Sequence, residues 1–218
     1  MKKTFLKIPA PKREAIIKAC IEEFGASGYE QGSTDRIIKK AGISKGGLYE
    51  YISSKKELFL FIVDHVYSSL YDYIQEHIRR DKLTLPSDIL QRFRLVSGIA
   101  IDFYLEYPDM IAFIVKCGSL QDLQLKSEVH KTFLHRFNQV FSNLSSSGLA
   151  FPKEIIMDLL IWLLIKTRND FMLKLSGSTN REALKQEYLN EWELLLGILE
   201  NGIYSTHAAK ENTDDSRS

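Results

Sequence analysis

Between Gly42 and Phe59 the chain reads GISKGGLYEYISSKKELF, a stretch that sets Lys45, Gly46, Gly47, Tyr49, Tyr51, Lys55 and Lys56 close together. Ammonium groups and phenols are donors, and glycine lets a bulky partner approach the backbone. Such a set suits phosphate oxygens better than it suits a bond to be broken. Gly46 and Gly47 each cost a helix about 1 kcal/mol relative to alanine, so an outside partner would explain them. Helix starts at Thr34 and Lys45 would add unpaired N–H groups and partial positive charge facing an anion. A plainer reading stands beside this one. Tyr49 could pack beneath a neighbouring helix, Leu48 belongs to a core, and Lys39, Lys40 and Lys56 could form a solvated face. Glu50 could accept from a cytosine amine or simply lie on the surface.

Catalytic chemistry has less to work with. His65, His77, His130, His135 and His207 form no compact metal-ligand pattern, and the five-residue step from His130 to His135 does not keep to one helix face. No nucleophile elbow, Walker loop or dinucleotide glycine pattern occurs. The expectation is a protein that is not an enzyme and uses no metal or cofactor. An all-α carrier or enzyme that does not bind DNA remains the alternative. Cys20 and Cys117 each sit in an apolar helical pattern, as small buried hydrophobes of a reducing compartment do. A redox role for Cys117 is left open.

The net charge of +1 hides an asymmetry. Residues 1–56 hold 12 Lys/Arg and 6 Asp/Glu, a net of +6; the remaining 17 basic and 22 acidic residues give −5. A basic N-terminal module with a polyanionic partner fits that division. The start, MKKTFLKIPAPK, lacks the apolar run of a signal peptide. The most apolar run, MDLLIWLLI, is short of the ~20 residues that span a bilayer. A cytoplasmic protein with no membrane partner is expected.

The elements that must position these groups read as helices throughout, so the fold class is all-α with about nine helices. A first helix runs from near Pro11 to Gly28, with Ile16, Ile17, Cys20, Ile21 and Phe24 as its stripe. Ser33 caps a second helix over Thr34–Ala41, and Gly42 closes it. Ser44 caps a third, from Lys45 to about Tyr51. The box Ser54-Lys55-Lys56-Glu57 opens a long fourth helix to about Arg80. The fifth spans Pro86 or Ser87 to Tyr107, a short sixth starts at Pro108, and the seventh covers Leu120–Ser145. The eighth runs from Pro152 to Leu175. The box Thr179 to Glu182 opens the ninth, which ends near Tyr204. Residues 205–218 read as a disordered polar tail.

Helices two and three then make a helix-turn-helix. At this point STDRIIKKAGISKGGLYEYISSKKELF resembles the DNA-binding signature of the TetR/AcrR transcriptional regulators, TT-x-x-IA-x-x-AGVSKGTLY-x-YF-x-SKEEL. The resemblance covers residues 10–60, including Phe24 to Tyr29. It implies a ligand-responsive regulator, most often a repressor, released by a small-molecule effector. It also implies a homodimer on a palindromic double-stranded DNA operator. By position it implies phosphate contact at Thr34 and Lys55, with Lys45, Gly46, Gly47, Tyr49 and Tyr51 at the DNA. Gly47 replaces the commoner Thr, Ile52 the usual Phe, and Ile38-Lys39 the usual Ile-Ala, so the family's operators do not carry over.

The organisation expected is a three-helix helix-turn-helix domain at 1–53 and a larger helical ligand-binding and dimerisation domain at 54–204. Aromatics of the middle helices could line an apolar cavity, and each could equally be core. The candidate ligand residues are Tyr67, Tyr71, Phe103, Tyr104, Tyr107, Phe113, Cys117, Phe137 and Trp162, with Arg168 and Asn169 to orient a polar end. Helix eight is apolar nearly all round, and helix nine carries Leu189, Trp192, Leu194, Leu195, Leu196, Ile198, Leu199 and Ile203 in the same manner. Both need partners on two sides. Ile155, Leu159, Trp162, Leu189, Trp192, Leu196 and Leu199 are therefore the expected dimer face, the place that the family resemblance also implies.

Overall fold

The computed structural model describes residue 5 and residues 7–204; the expected tail at 205–218 lies outside the described residues. Among the described residues the regular elements are α-helices. They are α1 (Ala10–Gln31), α2 (Thr34–Ala41), α3 (Lys45–Tyr49), α4 (Lys55–Arg80), α5 (Ile89–Glu106), α6 (Pro108–Cys117), α7 (Leu123–Phe141), α8 (Lys153–Leu175) and α9 (Arg181–Ile203). One antiparallel bridge joins Leu149 to Tyr204. No helix among the described residues is long and apolar enough to cross a membrane.

Local chemistry explains most of the boundaries. The Ser33 hydroxyl accepts from Arg36 N at α2, Ser44 from Gly47 N at α3, and Ser54 from Glu57 N at α4. Each satisfies a donor that the first turn of a helix leaves open. Gly42 ends α2 at φ +64°, a left-handed conformation that only glycine adopts without cost. Several boundaries differ from the sequence expectation: α3 ends at Tyr49, α5 begins at Ile89 and α7 begins at Leu123. α1 runs on to Gln31, beyond a break at Gly28, where φ is +71°. α7 stops at Phe141 rather than Ser145, with Asn143 turning the chain at φ +55°. Finally, Asn180 and not Thr179 caps α9: its Oδ1 accepts from Ala183 N at 3.0 Å.

The chain divides into two compact units, Met1–Glu76 with Phe103–Val140, and His77–Asp102 with Phe141–Ser218. The first is built on an aromatic cluster. Phe59 of α4 packs edge-on to Phe24 of α1 at 5.2 Å and against Phe113 of α6 at 5.4 Å. All three rings are buried and contribute the large apolar areas that dominate a core. Cys20 lies in this packing, and burial pushes its thiol up to about 12, which leaves it unreactive at neutral pH. The second unit centres on Phe93, 4.4 Å from Phe141 and 6.1 Å from the Trp192 ring. Its α8 and α9 run antiparallel, joined by Lys166–Glu191, Phe171–Tyr188 and Lys174–Glu187.

One buried carboxylate seats the helix-turn-helix. Glu23 of α1 is almost wholly buried, and its Oε1 accepts from Arg36 Nε at 2.7 Å and from Ser33 N at 3.1 Å. The Arg36 hydrogen bond holds the Glu23 carboxyl below the usual carboxylate range, with burial opposing it. A depressed folded-state pKa adds stability above the unfolded-state value, which is lost as pH falls through the folded one. Glu23→Gln is therefore expected to lower the thermal midpoint at pH 7 by a few degrees, as weakened charge-assisted hydrogen bonds do in a chain of this size. It should also flatten the acid limb of the stability curve. Differential scanning calorimetry between pH 3 and 7 checks both.

Candidate nucleic-acid interface

Ile37 of α2 and Leu48 of α3 are fully buried and fix the two short helices on the first unit. Their outward faces carry the candidate groups. Tyr49 is 39% exposed, and its hydroxyl lies 3.5 Å from the Thr34 Oγ1 at the start of α2. Lys45 is 69% exposed and pairs at 3.2 Å with Asp35, itself 71% exposed. An ion pair so open to water contributes little to stability and yields readily to a phosphate. Thr34, Lys45, Gly46 and Tyr49 are thus brought onto neighbouring turns at the surface of one helix-turn-helix.

The two glycines of α3 have different grounds. A Cβ on Gly47 would stand 3.1 Å from the Ser44 Oγ, against the very hydroxyl that caps the helix. A Cβ on Gly46 would meet nothing within 4 Å. No neighbour in the fold demands glycine there, and helix propensity disfavours it.

Two of the residues expected at the DNA are engaged by the protein itself. Tyr51 is buried at 7% exposure, edge-on to Phe5 at 5.8 Å with the Lys12 ammonium over its ring. It packs the end of α3 rather than presenting a hydroxyl outward. Lys55 is half-buried; its Nζ donates to the Glu30 carbonyl at 3.1 Å and lies 4.7 Å from the Tyr29 ring centroid. Lys56 bonds to Glu128 of α7 at 2.8 Å. Glu23 and Arg36 were not singled out from the sequence. The available signal was a carboxylate flanked by Ile21 and Phe24 in the apolar stripe of α1.

The candidate ligand residues are spread over both units. Tyr67, Tyr71, Phe103, Tyr104, Phe113, Cys117 and Phe137 are buried in the first, in packing such as the 5.4 Å approach of Phe137 to Phe133. Tyr107, also of that unit, stays 36% exposed at the start of α6. The other three belong to the second unit. Trp162 is 60% exposed, while Arg168 Nε and Asn169 Oδ1 are buried with no hydrogen-bond partner. The expected dimer face is likewise sorted. Ile155, Leu159 and Trp162 are exposed on α8, and Leu189 and Leu199 are half-buried. Trp192 and Leu196 are buried in the second unit's own core, because α9 turns them inward beside Phe93. Leu194 and Ile198, one turn apart on α9, are the exposed leucine and isoleucine in their stead.

Comparison with known proteins bears on this geometry. Residues 16–62 match the family model described as bacterial regulatory proteins, tetR family. The chain is 26% identical over 102 residues to the HTH-type transcriptional repressor NicS of Pseudomonas putida, covering 47% of this chain and 46% of that one. It thus spans about half the length of that relative. A TetR-family regulator structure from Shewanella sp. PV-4 superposes at a TM-score of 0.67 with 18% identity, covering 90% of this chain and all of that one. The regulator FadR of Bacillus subtilis, solved in complex with stearoyl-CoA, gives 0.62 with 15% identity over 82% of this chain and 96% of that one. At such identities the two structures speak for the fold alone.

Proposed function

We propose, from the match of residues 16–62 to the family model of bacterial regulatory proteins, tetR family, that the chain is a ligand-responsive repressor of that family which grips a palindromic operator as a homodimer. Residues 1–53 serve as the reading head and residues 54–204 as the ligand-binding and dimerisation body. Thr34, Lys45 and Tyr49 position the head on phosphates, and the open flank of Gly46 lets the backbone of α3 approach the major groove. Two such heads about 34 Å apart meet successive turns of the duplex.

The observation that carries this reading is Gly46, a helical glycine that the fold does not need, set between exposed Lys45 and Tyr49. The HTH-type transcriptional repressor NicS, 26% identical over 102 residues, supports the repressor reading. An effector acts here only by preferring a conformation whose heads no longer suit the operator. The test is a titration of the full chain against duplexes selected from a random library. A palindromic duplex should emerge, with an affinity that falls steeply and linearly in log–log terms as salt rises, since each neutralised phosphate releases cation. Failure to enrich any duplex, or salt-independent binding, overturns the proposal.

A further inference from the structure

The first unit carries a cleft of about 340 Å³, lined by none of the residues proposed to meet DNA. It lies among the middle turns of α1, His65 of α4, the end of α5 and the start of α6. Its position follows from how α1 and α6 meet. A Cβ placed on Gly25 would stand 3.4 Å from Phe113 N and 3.5 Å from the Asp109 carbonyl oxygen, so the two helix backbones all but touch there. The cleft opens beside that crossing, toward the earlier turns of α1.

Its lining is mostly apolar. Ile17, Ile21, Pro108 and Met110 supply the wall, and the Tyr107 ring stands at the opening. The charges lining it are one-sided: the carboxylates of Glu14, Glu22, Glu106 and Asp109 against the ammonium of Lys18, with the Lys40 ammonium reaching Glu22 from outside the lining. Asp109, in the first turn of α6, answers the partial positive charge of that helix start. Glu106 accepts a hydrogen bond from the Tyr107 hydroxyl, a neutral donor that leaves its charge in place, and Glu14 and Glu22 lie beyond the first turn of α1. His65 adds no opposing charge at neutral pH, because burial holds its imidazole below the ordinary histidine value. The cleft's volume falls within the range of small-molecule sites.

We propose that this cleft is a binding site for a hydrophobic cation, with the apolar body against Ile17, Ile21 and Met110 and the charge among Glu14, Glu22 and Glu106. The Tyr107 ring adds an electron-rich face for the same charge. A route from the site to the reading head lies within α1. Glu22 pairs with Lys40 of α2 at 3.7 Å, and the adjacent Glu23 holds Arg36. A bound cation competes with Lys40 for Glu22 and so disturbs the seat of α2. This consequence rests on α2 and α3 being the DNA-reading helices; the binding itself does not.

Calorimetric titration of the full chain with decyltrimethylammonium, decanol and decyl sulfate tests the site. The cation should bind at least tenfold more tightly than either counterpart. Lys18→Glu, at an exposed position, should tighten it several-fold. Glu14→Gln with Glu106→Gln, also exposed, should weaken it about tenfold, and Met110→Trp should block it by filling the cleft. Equal affinity for the three ligands, or cation binding indifferent to all of these substitutions, overturns the site. Parallel titrations with operator duplex keep the questions apart. A chain that grips duplex but ignores the cation ends this inference alone, and one that binds the cation but no duplex ends the regulator reading alone.

Discussion

Gly46→Leu is expected to leave the fold slightly more stable and to weaken duplex binding about 100-fold. The two effects oppose each other for a physical reason. Leucine favours a helix over glycine by up to about 0.8 kcal/mol, and the space around the Gly46 Cβ direction is empty within 4 Å. Nothing in the chain resists the side chain. Against a duplex the same isobutyl group stands where a phosphate or base edge must come, between Lys45 and Tyr49. Holding the backbone away there would cost about 2.7 kcal/mol, the equivalent of a hundredfold in affinity. Thermal melting and fluorescence anisotropy on one preparation measure both. A variant that binds duplex like the parent would show that α3 does not face the nucleic acid.

Trp162→Glu should turn the proposed dimer into monomers and with it remove the tight operator binding proposed above. On α8 of the isolated chain Ile155 and Trp162 are 61% and 60% exposed, and on α9 Leu194 and Ile198 are 65% and 62% exposed. Large apolar side chains gathered in this way mark an association surface. A two-fold axis places each substitution in the interface twice, so two carboxylates would be forced from water together. Once the copies part, the second head loses the effective concentration that the first confers, in the millimolar range for linked modules. Operator affinity should fall by about two orders of magnitude, while a single half-site is bound as weakly as before. Light scattering reads the assembly directly. If the variant stays dimeric, the face lies elsewhere.

How much of this was legible in the sequence depended on whether the controlling interaction was local. α2 was placed at both ends because Ser33 and Gly42 act within one turn, through a hydroxyl and a left-handed backbone. The start of α9 lies one residue later than expected because two capping residues are adjacent there, and the Asn180 Oδ1 accepts from Ala183 N, one residue beyond the Glu182 N–H that a Thr179 cap would use. Tyr51 departs from the expectation for a different reason: a tyrosine just past a short helix carries both a ring and a hydroxyl. Its partner Phe5 comes from the far end of the module, so spacing could not choose between the two uses. The same held for α9, where apolar residues on nearly every face concealed that Trp192 turns inward and Leu194 outward. The Glu23–Arg36 pair joins two helices across a turn, and only the oddity of a carboxylate beside Phe24 announced it.

Lys55 carries a consequence of its own. Its ammonium is already pinned by the Glu30 carbonyl and the face of the Tyr29 ring. The freedom of a lysine side chain, up to about 2 kcal/mol at room temperature, is therefore surrendered when the chain folds. An anion arriving at the start of α4 meets a charge already stationary, and the encounter has little disorder left to extract from it.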